Sequence, residues 1–310
     1  MITIKNSSVV INYYNTPEEK KQVKQNDIDI YAHSKKVTRE CSSHFVKYLR
    51  EEKEFTKANR VETCGSFLQF KYYPSIDVST LHSINLCRER MCLNCQFNLA
   101  RERARVLRKV ISDKQIFFTT LTVENCAGNM LRDTLNKMIS AQRKMFRHFK
   151  NNDYYRSVEV TYNKRDNTYH PHLHIIHLEE LPLSPSRLNK TWRDFVVGDG
   201  IKCLREWLSC KQEVANDLNS TALEMSKYIT KPTDIGANTI PTLYAQCKGL
   251  HLHQARGYFK KQIKAITENN DRAKAEEQQR LSDFDYEIYS YLWNGDNYIK
   301  CDLKSYNGEV

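Results

Sequence analysis

The sequence predicts an α/β fold, a mainly antiparallel sheet with helices packed against it. Three observations carry that prediction. Residues 154–162 and 169–178 alternate apolar and polar side chains on either side of the polar link Asn163–Thr168, which is the pattern of a hairpin. Ahead of them, the β-branched and aromatic run 116–123 reads as a buried strand. It is followed by Leu131, Leu135, Met138, Met145 and Phe149 at helical spacing, so strand precedes helix. Earlier still, Cys87, Cys92 and Cys95 form a cluster whose CxxC lets two sulfurs reach one tetrahedral ion.

The 310 residues can bury a substantial core, and 40% hydrophobic content with 11% aromatics excludes an extensively disordered chain. Lys and Arg number 48 against 37 Asp and Glu, a net charge of +11 that favours a polyanionic partner, nucleic acid first. No apolar run is long enough for a transmembrane helix, so no membrane association is expected. The start lacks the apolar core of an export signal. Ten cysteines without such a signal fit a reducing cytoplasm, where clustered thiols serve metal rather than disulfides.

In chain order, residues 1–15 read as a short strand or tail. Between Pro17 and Phe55 a helix is expected, with Val37, Cys41, Phe45, Tyr48 and Leu49 on one face. Cys64 precedes an aromatic stretch from Phe67 to Tyr73 and could complete a four-thiolate site from a separate strand. Four cysteines make a closed, structural zinc site; the alternative is small buried thiols in a cytosolic core. Residues 96–113 read as a helix with Leu99, Val106, Leu107 and Val110 on its apolar stripe. Arg101, Arg103, Arg105, Arg108 and Lys109 cover much of the rest, suited to phosphate or simply to solvent. A helix containing Trp192 and Phe195 is expected to end near Gly198, and a short one near Leu204 to Leu208. His251 and His253 repeat a His-Leu-His pattern without a strand signature and read as non-ligands. Residues 256–264 interleave cations with Tyr258 and Phe259, which suits a nucleic-acid backbone. Residues 268–285 read as a charged helix, and 286–303 as a closing hairpin.

The candidate chemistry lies on the hairpin and on one later segment. Alternate side chains of a strand share a face, so His170, His172 and His174 point one way while Leu173 and Ile175 point into the core. Converging imidazoles suit a divalent metal. Setting Asn163 opposite Thr168 puts Glu159 opposite His172 on that face, as a further ligand or a supporting carboxylate. Between residues 213 and 231 a helix is expected on the stripe Val214, Leu218, Met225 and Ile229, ended by Pro232. Glu224, Tyr228 and Lys231 then fall on one neighbouring stripe. Tyr228 could act as an oxygen nucleophile toward phosphate, Lys231 could neutralise that phosphate, and Glu224 could hold a water. The structural alternative is a capping box from Thr221 to Glu224 with Tyr228 in packing.

Three ordered segments, residues 117–125, His170-Pro-His-Leu-His174 and Glu224-Met-Ser-Lys-Tyr228-Ile-Thr-Lys231, resemble the motifs of HUH-type rolling-circle replication initiators. The closest resemblance is to plasmid Rep proteins with a Glu-x3-Tyr motif. Cys64-Gly65, Cys87-x4-Cys92-x2-Cys95 and Gly257-Tyr-Phe-Lys260 resemble further segments of that group, and the whole likeness spans about residues 60–260.

The resemblance implies that His172 and His174 hold Mg²⁺ or Mn²⁺, with Glu159 or His170 as a further ligand. It implies that Tyr228 attacks single-stranded or cruciform origin DNA to give a 5′-phosphotyrosine, that Glu224 assists hydrolytic termination, and that host helicase and polymerase are partners. No phosphate-binding GxxxxGK[ST] loop is present, in line with strand transfer that needs no ATP.

The expected fold is then HUH endonuclease-like, a five-stranded, mainly antiparallel sheet with helices on one face and a zinc-stapled N-terminal segment. The expected divisions are a variable helical region at 1–60 and a cysteine-rich segment with a basic helix at 61–113. A catalytic domain at 114–235 and a basic C-terminal region at 236–310, a candidate DNA-binding extension, complete them. An HUH transposase or relaxase, or a non-catalytic zinc-containing DNA-binding regulator, are the competing functional readings.

Overall fold

The computed structural model describes residues 23, 25–201, 209–227 and 236–301. Long α1 (Gln25–Glu51) and short α2 (Phe55–Glu62) lead into a hairpin, β1 (Phe67–Tyr73) and β2 (Val78–Ile84). Then come α3 (Leu93–Ile111), β3 (Phe117–Thr122), α4 (Leu131–His148), β4 (Tyr154–Asn163), β5 (Thr168–His177) and α5 (Pro185–Gly198). The chain continues through β6 (Cys210–Val214), α6 (Leu218–Ser226), α7 (Ile240–Gln246), β7 (His253–Ala255) and α8 (Gly257–Leu281). It closes with the hairpin β8 (Glu287–Trp293) and β9 (Tyr298–Cys301).

Two antiparallel sheets result. The five-stranded sheet has the order β6-β3-β5-β4-β7, which puts the histidine strand β5 at its centre. Its register is the one the hairpin link imposes, with Asn163 facing Thr168 and Glu159 facing His172. Side chains alternate accordingly. Leu121, Val158, Val160, Leu173 and Ile175 join α4 (Leu135, Met138, Met145) and α5 (Leu188, Trp192, Val196) in the main core. Trp192 is fully enclosed and its indole N–H donates to the Thr122 carbonyl at 2.8 Å, so the bulkiest core residue has its polar atom satisfied. Helices thus cover that face as expected. In addition, Tyr155 and Ile176 on the opposite face pack with Val106, Leu107 and Val110 of α3, Ala222 and Met225 of α6 and Phe259 of α8. This second cluster caps one end of the histidine face.

The four-stranded sheet, β2-β1-β8-β9, pairs the expected closing hairpin with the aromatic stretch that follows Cys64. Ile28 and Ala32 of α1 pack on Leu68, Phe70, Tyr72, Tyr291 and Tyr298, while Phe45 and Leu49 near its other end join the main core. One helix therefore spans both sheets. Val37 is 51% exposed rather than on the buried stripe. Residues spaced by four drift about 40° per step around a helix, so a run from 37 to 49 cannot stay on one face.

The segment after residue 209 also differs from expectation. Val214 ends strand β6, opposite Phe117, and the helix begins only at Leu218. Its N-cap is Asp217, whose carboxylate accepts from the Asn219 and Ser220 N–H groups, rather than a box from Thr221 to Glu224. The helix stops at Ser226, because Lys227 turns to ψ 168°, well before Pro232. Tyr228, Ile229 and Lys231 lie outside the described residues, as do the 1–15 segment and the short helix expected near Leu204 to Leu208. Among the described residues no helix is long and apolar enough to cross a membrane.

Candidate metal centres

Two groups of side chains converge as metal ligands do. The first is Cys64, Cys87, Cys92 and Cys95, all buried, with sulfurs within 4.8 Å of one another. Cys64 comes from the turn after α2 rather than from a strand, Cys87 from the loop after β2, Cys92 caps α3, and Cys95 lies in its first turn. Sγ–Sγ separations of 3.5 Å (Cys64–Cys95) and 3.6 Å (Cys87–Cys95) approach the edge, about 3.8 Å, of a tetrahedron with sulfurs 2.3 Å from a central ion.

Backbone donors turn toward the sulfurs. Cys87 N–H points to Cys64 Sγ (3.4 Å), Arg88 N–H to Cys95 Sγ (3.3 Å) and Glu89 N–H to Cys87 Sγ (3.5 Å). The start of α3 adds its positive dipole end beside these donors. Gly65 is required here: its φ is +65°, and a Cβ would collide with the Asn94 amide that reaches Cys64. A closed, buried, all-sulfur donor set fits a structural ion and leaves no open position for chemistry.

The second group is Glu159, His174 and Glu224, half-buried, with one ligand atom from each within 4.8 Å of the others. Glu159 Oε2 and His174 Nε2 are 2.9 Å apart. Hydrogen bonding from His174 holds the Glu159 carboxyl below the usual carboxylate range, outweighing burial, with the charges of His172 and Lys227 acting the same way. His172 faces Glu159 in register, and its ring lies parallel to that of His174 (11°, 6.1 Å between centroids). His170 sits one step further, 4.3 Å from the His172 ring, with burial lowering its pKa. The structure thus lines up all three expected histidines on one face and brings Glu224 in from α6. The atoms that converge most closely are those of Glu159, His174 and Glu224. An oxygen–nitrogen–oxygen set, open on one side, fits a hard divalent cation such as Mg²⁺ or Mn²⁺.

Packing explains how Glu224 gets there. Met225 is buried in the second cluster and accepts a weak hydrogen bond from Ser157 Oγ at 3.8 Å, so α6 is seated on β4 directly beside the histidine face.

Two neighbours escaped the sequence reading. Thr120 Oγ1 lies 3.3 Å from His174 Nδ1, and Thr120 faces His174 across the β3–β5 ladder. With Nε2 engaged by a cation, the ring proton would sit on Nδ1, where this hydroxyl can accept it. Lys227 is a cation of this place: its ammonium pairs with the Glu224 carboxylate. The missing signals were a second strand register and the early end of α6. His253, by contrast, lies on β7 with its ring against Tyr155 OH (3.2 Å).

Residues 78–192 match a family model described as "Replication protein". Relatives include a "Protein rep" of Streptococcus pneumoniae, 24% identical over 223 residues, covering 66% of this chain and 69% of that one. A "Protein rep" of Staphylococcus aureus is 25% identical over 217 residues (64% and 93%), and one of Lentilactobacillus hilgardii 28% over 218 residues (63% and 68%). No solved structure matches the chain.

Proposed function

We propose that this chain, a relative of the plasmid Rep replication proteins, starts rolling-circle replication by metal-dependent nicking and rejoining of one origin DNA strand. The observation that carries the reading is the convergence of Glu159, His174 and Glu224 on the histidine face, with Lys227 paired to Glu224. Tyr228 follows Lys227 directly in the chain. The names of the relatives favour replication over transposition or conjugative transfer, and the open carboxylate–histidine group favours catalysis over a purely regulatory zinc protein.

In this reading Glu159 and His174, with His172 beside them, would hold Mg²⁺ or Mn²⁺, which when bound supplies polarisation of the scissile phosphate. Glu224 borders that site without being needed to hold the ion. The Tyr228 phenol oxygen attacks phosphorus in line. The bond from phosphorus to the 3′ oxygen breaks, the phenolic proton passes to solvent or base, and the 3′ oxygen leaves as a free hydroxyl that primes synthesis. One phosphoester is exchanged for another, so rejoining needs no nucleotide. Lys227 and Lys231 neutralise phosphate charge. At termination Glu224 takes a proton from water as the water oxygen attacks phosphorus. The bond from phosphorus to the Tyr228 oxygen breaks, and a 5′-phosphate and the free phenol result. The carboxylate thus stands in for the second tyrosine of two-tyrosine enzymes. The Cys64, Cys87, Cys92 and Cys95 group would hold Zn²⁺ and so fix α3 to the turn after α2. Host helicase and polymerase take over at the exposed 3′ end, and the work is done in the cytoplasm.

The deciding experiment incubates full-length protein and Mn²⁺ with a labelled single-stranded oligonucleotide spanning the origin of its replicon. Wild type should form a covalent adduct stable to denaturation, and Tyr228→Phe should form none. An adduct that persists in the phenylalanine variant refutes the nucleophile; intact DNA with wild type refutes the enzyme. Glu224→Ala should keep nicking and accumulate faulty termination products.

A further inference from the structure

Away from the histidine face, a groove of about 770 Å³ runs between α1, the turn carrying Cys64 and the tip of the β8–β9 hairpin. Its long wall is one stripe of α1 from Lys35 through Arg39, Ser42 and Lys47 to Arg50, recurring at helical spacing over about 22 Å. Trp293 closes one end. Four cations face two carboxylates, Glu51 and Glu62, so the lining is net positive.

The parts are held in place from below. Lys35 Nζ donates to the Cys64 carbonyl at 2.9 Å and lies 5.7 Å from the centre of the Trp293 ring. Arg39 donates to the Gly295 carbonyl at 3.3 Å, and Arg50 pairs with Glu62 at 2.7 Å. Lys47 stays exposed, 4.0 Å from Glu51. Cys64 and Asn94 therefore lie in the lining of a charged channel whose walls come from three distant parts of the chain.

We infer that this groove is a binding site for single-stranded DNA, separate from the nicking site, in which the α1 cations track phosphates and Trp293 offers a face to a base. Spaced cations along a narrow channel with an aromatic end are the combination that grips a single strand without reading its sequence. The net positive lining, with Trp293 beside it, favours a polyanion carrying stackable bases over an apolar peptide. The inference rests on the strand-transfer reading for why a displaced strand is at hand, but its test requires no cleavage.

The test measures fluorescence anisotropy of full-length protein with a labelled oligothymidylate and with a duplex of equal length, across a salt series and without added divalent metal. The triple variant Arg39→Gln, Lys47→Gln, Arg50→Gln should bind the single strand at least tenfold more weakly. Its dependence of log affinity on log salt should be shallower by about two, since single strands lose roughly 0.7 per neutralised phosphate. Lys47→Gln alone, at an exposed position, should weaken binding measurably with an unchanged thermal melt. That variant keeps the test valid if the triple change disturbs folding. Unchanged affinity and salt slope in a folded triple variant, or in Lys47→Gln, overturn the site. A loss confined to the duplex overturns the single strand as occupant. Loss of adduct in Tyr228→Phe with oligothymidylate binding intact separates this site from the nicking chemistry.

Discussion

The two metal-ready groups are built on opposite principles. The cysteine group is closed: four soft sulfurs, all buried, drawn together by loop amides and the start of α3. The Glu159, His174 and Glu224 group is open, with hard donors, half-buried, and with one member supplied by the short helix α6. A closed set resists exchange and holds the chain; an open set leaves room for substrate. Donor chemistry and burial thus set apart, within one chain, a group suited to holding and a group suited to exchange.

The largest effect should come from breaking the closed group. Cys92→Ser, or a strong chelator, should lower the melting temperature by more than about 10 °C, because binding of a structural ion is coupled to folding. Circular dichroism with metal analysis checks it; an unchanged melt would show that the sulfurs merely pack. Breaking the open group should do the reverse. Glu159→Gln should weaken Mn²⁺ binding in calorimetry by about 10- to 100-fold while the melt moves little.

The comparison extends along β5 itself, where His177 faces the core three positions after His174. It is fully buried, bonded to Thr119 (2.8 Å) and to the Glu179 carbonyl (2.7 Å), and burial pushes its pKa from 6.5 down to about 4. The folded state therefore stays unprotonated where the unfolded chain takes up a proton. Stability is full above pH 6.5 and is lost as pH falls toward 4, by about 3 kcal/mol at most. His177→Gln should flatten that acid limb in urea titrations, and an identical pH profile in the variant would exclude this source. Smallest, Thr120→Val should weaken Mn²⁺ binding by about tenfold or less, with an unchanged melt. A wild-type affinity would mean that the Thr120 hydroxyl does not orient the ring.

Local patterns carried the hairpin, because a polar link between two alternating strands sets its own register, and with it the facing of Glu159 and His172. The cysteine spacing was legible for the same reason: the ligands are close in sequence. What escaped was non-local or unmarked. Thr120 meets His174 only once β3 has paired with β5 across the whole of α4. The end of α6 at Lys227 carries no glycine or proline, so the next visible stop, Pro232, drew the expected helix too far. Residues 210–214 read Cys-Lys-Gln-Glu-Val and pair as an edge strand without any β-branched run to announce it.

The pairing of β1 with β8 sets an order of events in the cell. Phe67 to Tyr72 lie against Glu287 to Leu292, so the four-stranded sheet cannot close until nearly all of the described chain has left the ribosome. Until then β1 and β2 present an unpaired aromatic edge, open to association with other nascent chains. Early capture of an ion by the nearby cysteines would hold α3 to the turn that precedes β1 while synthesis catches up. Metal supply during translation would then govern how much protein reaches its folded form, quite apart from any part the ion plays afterwards.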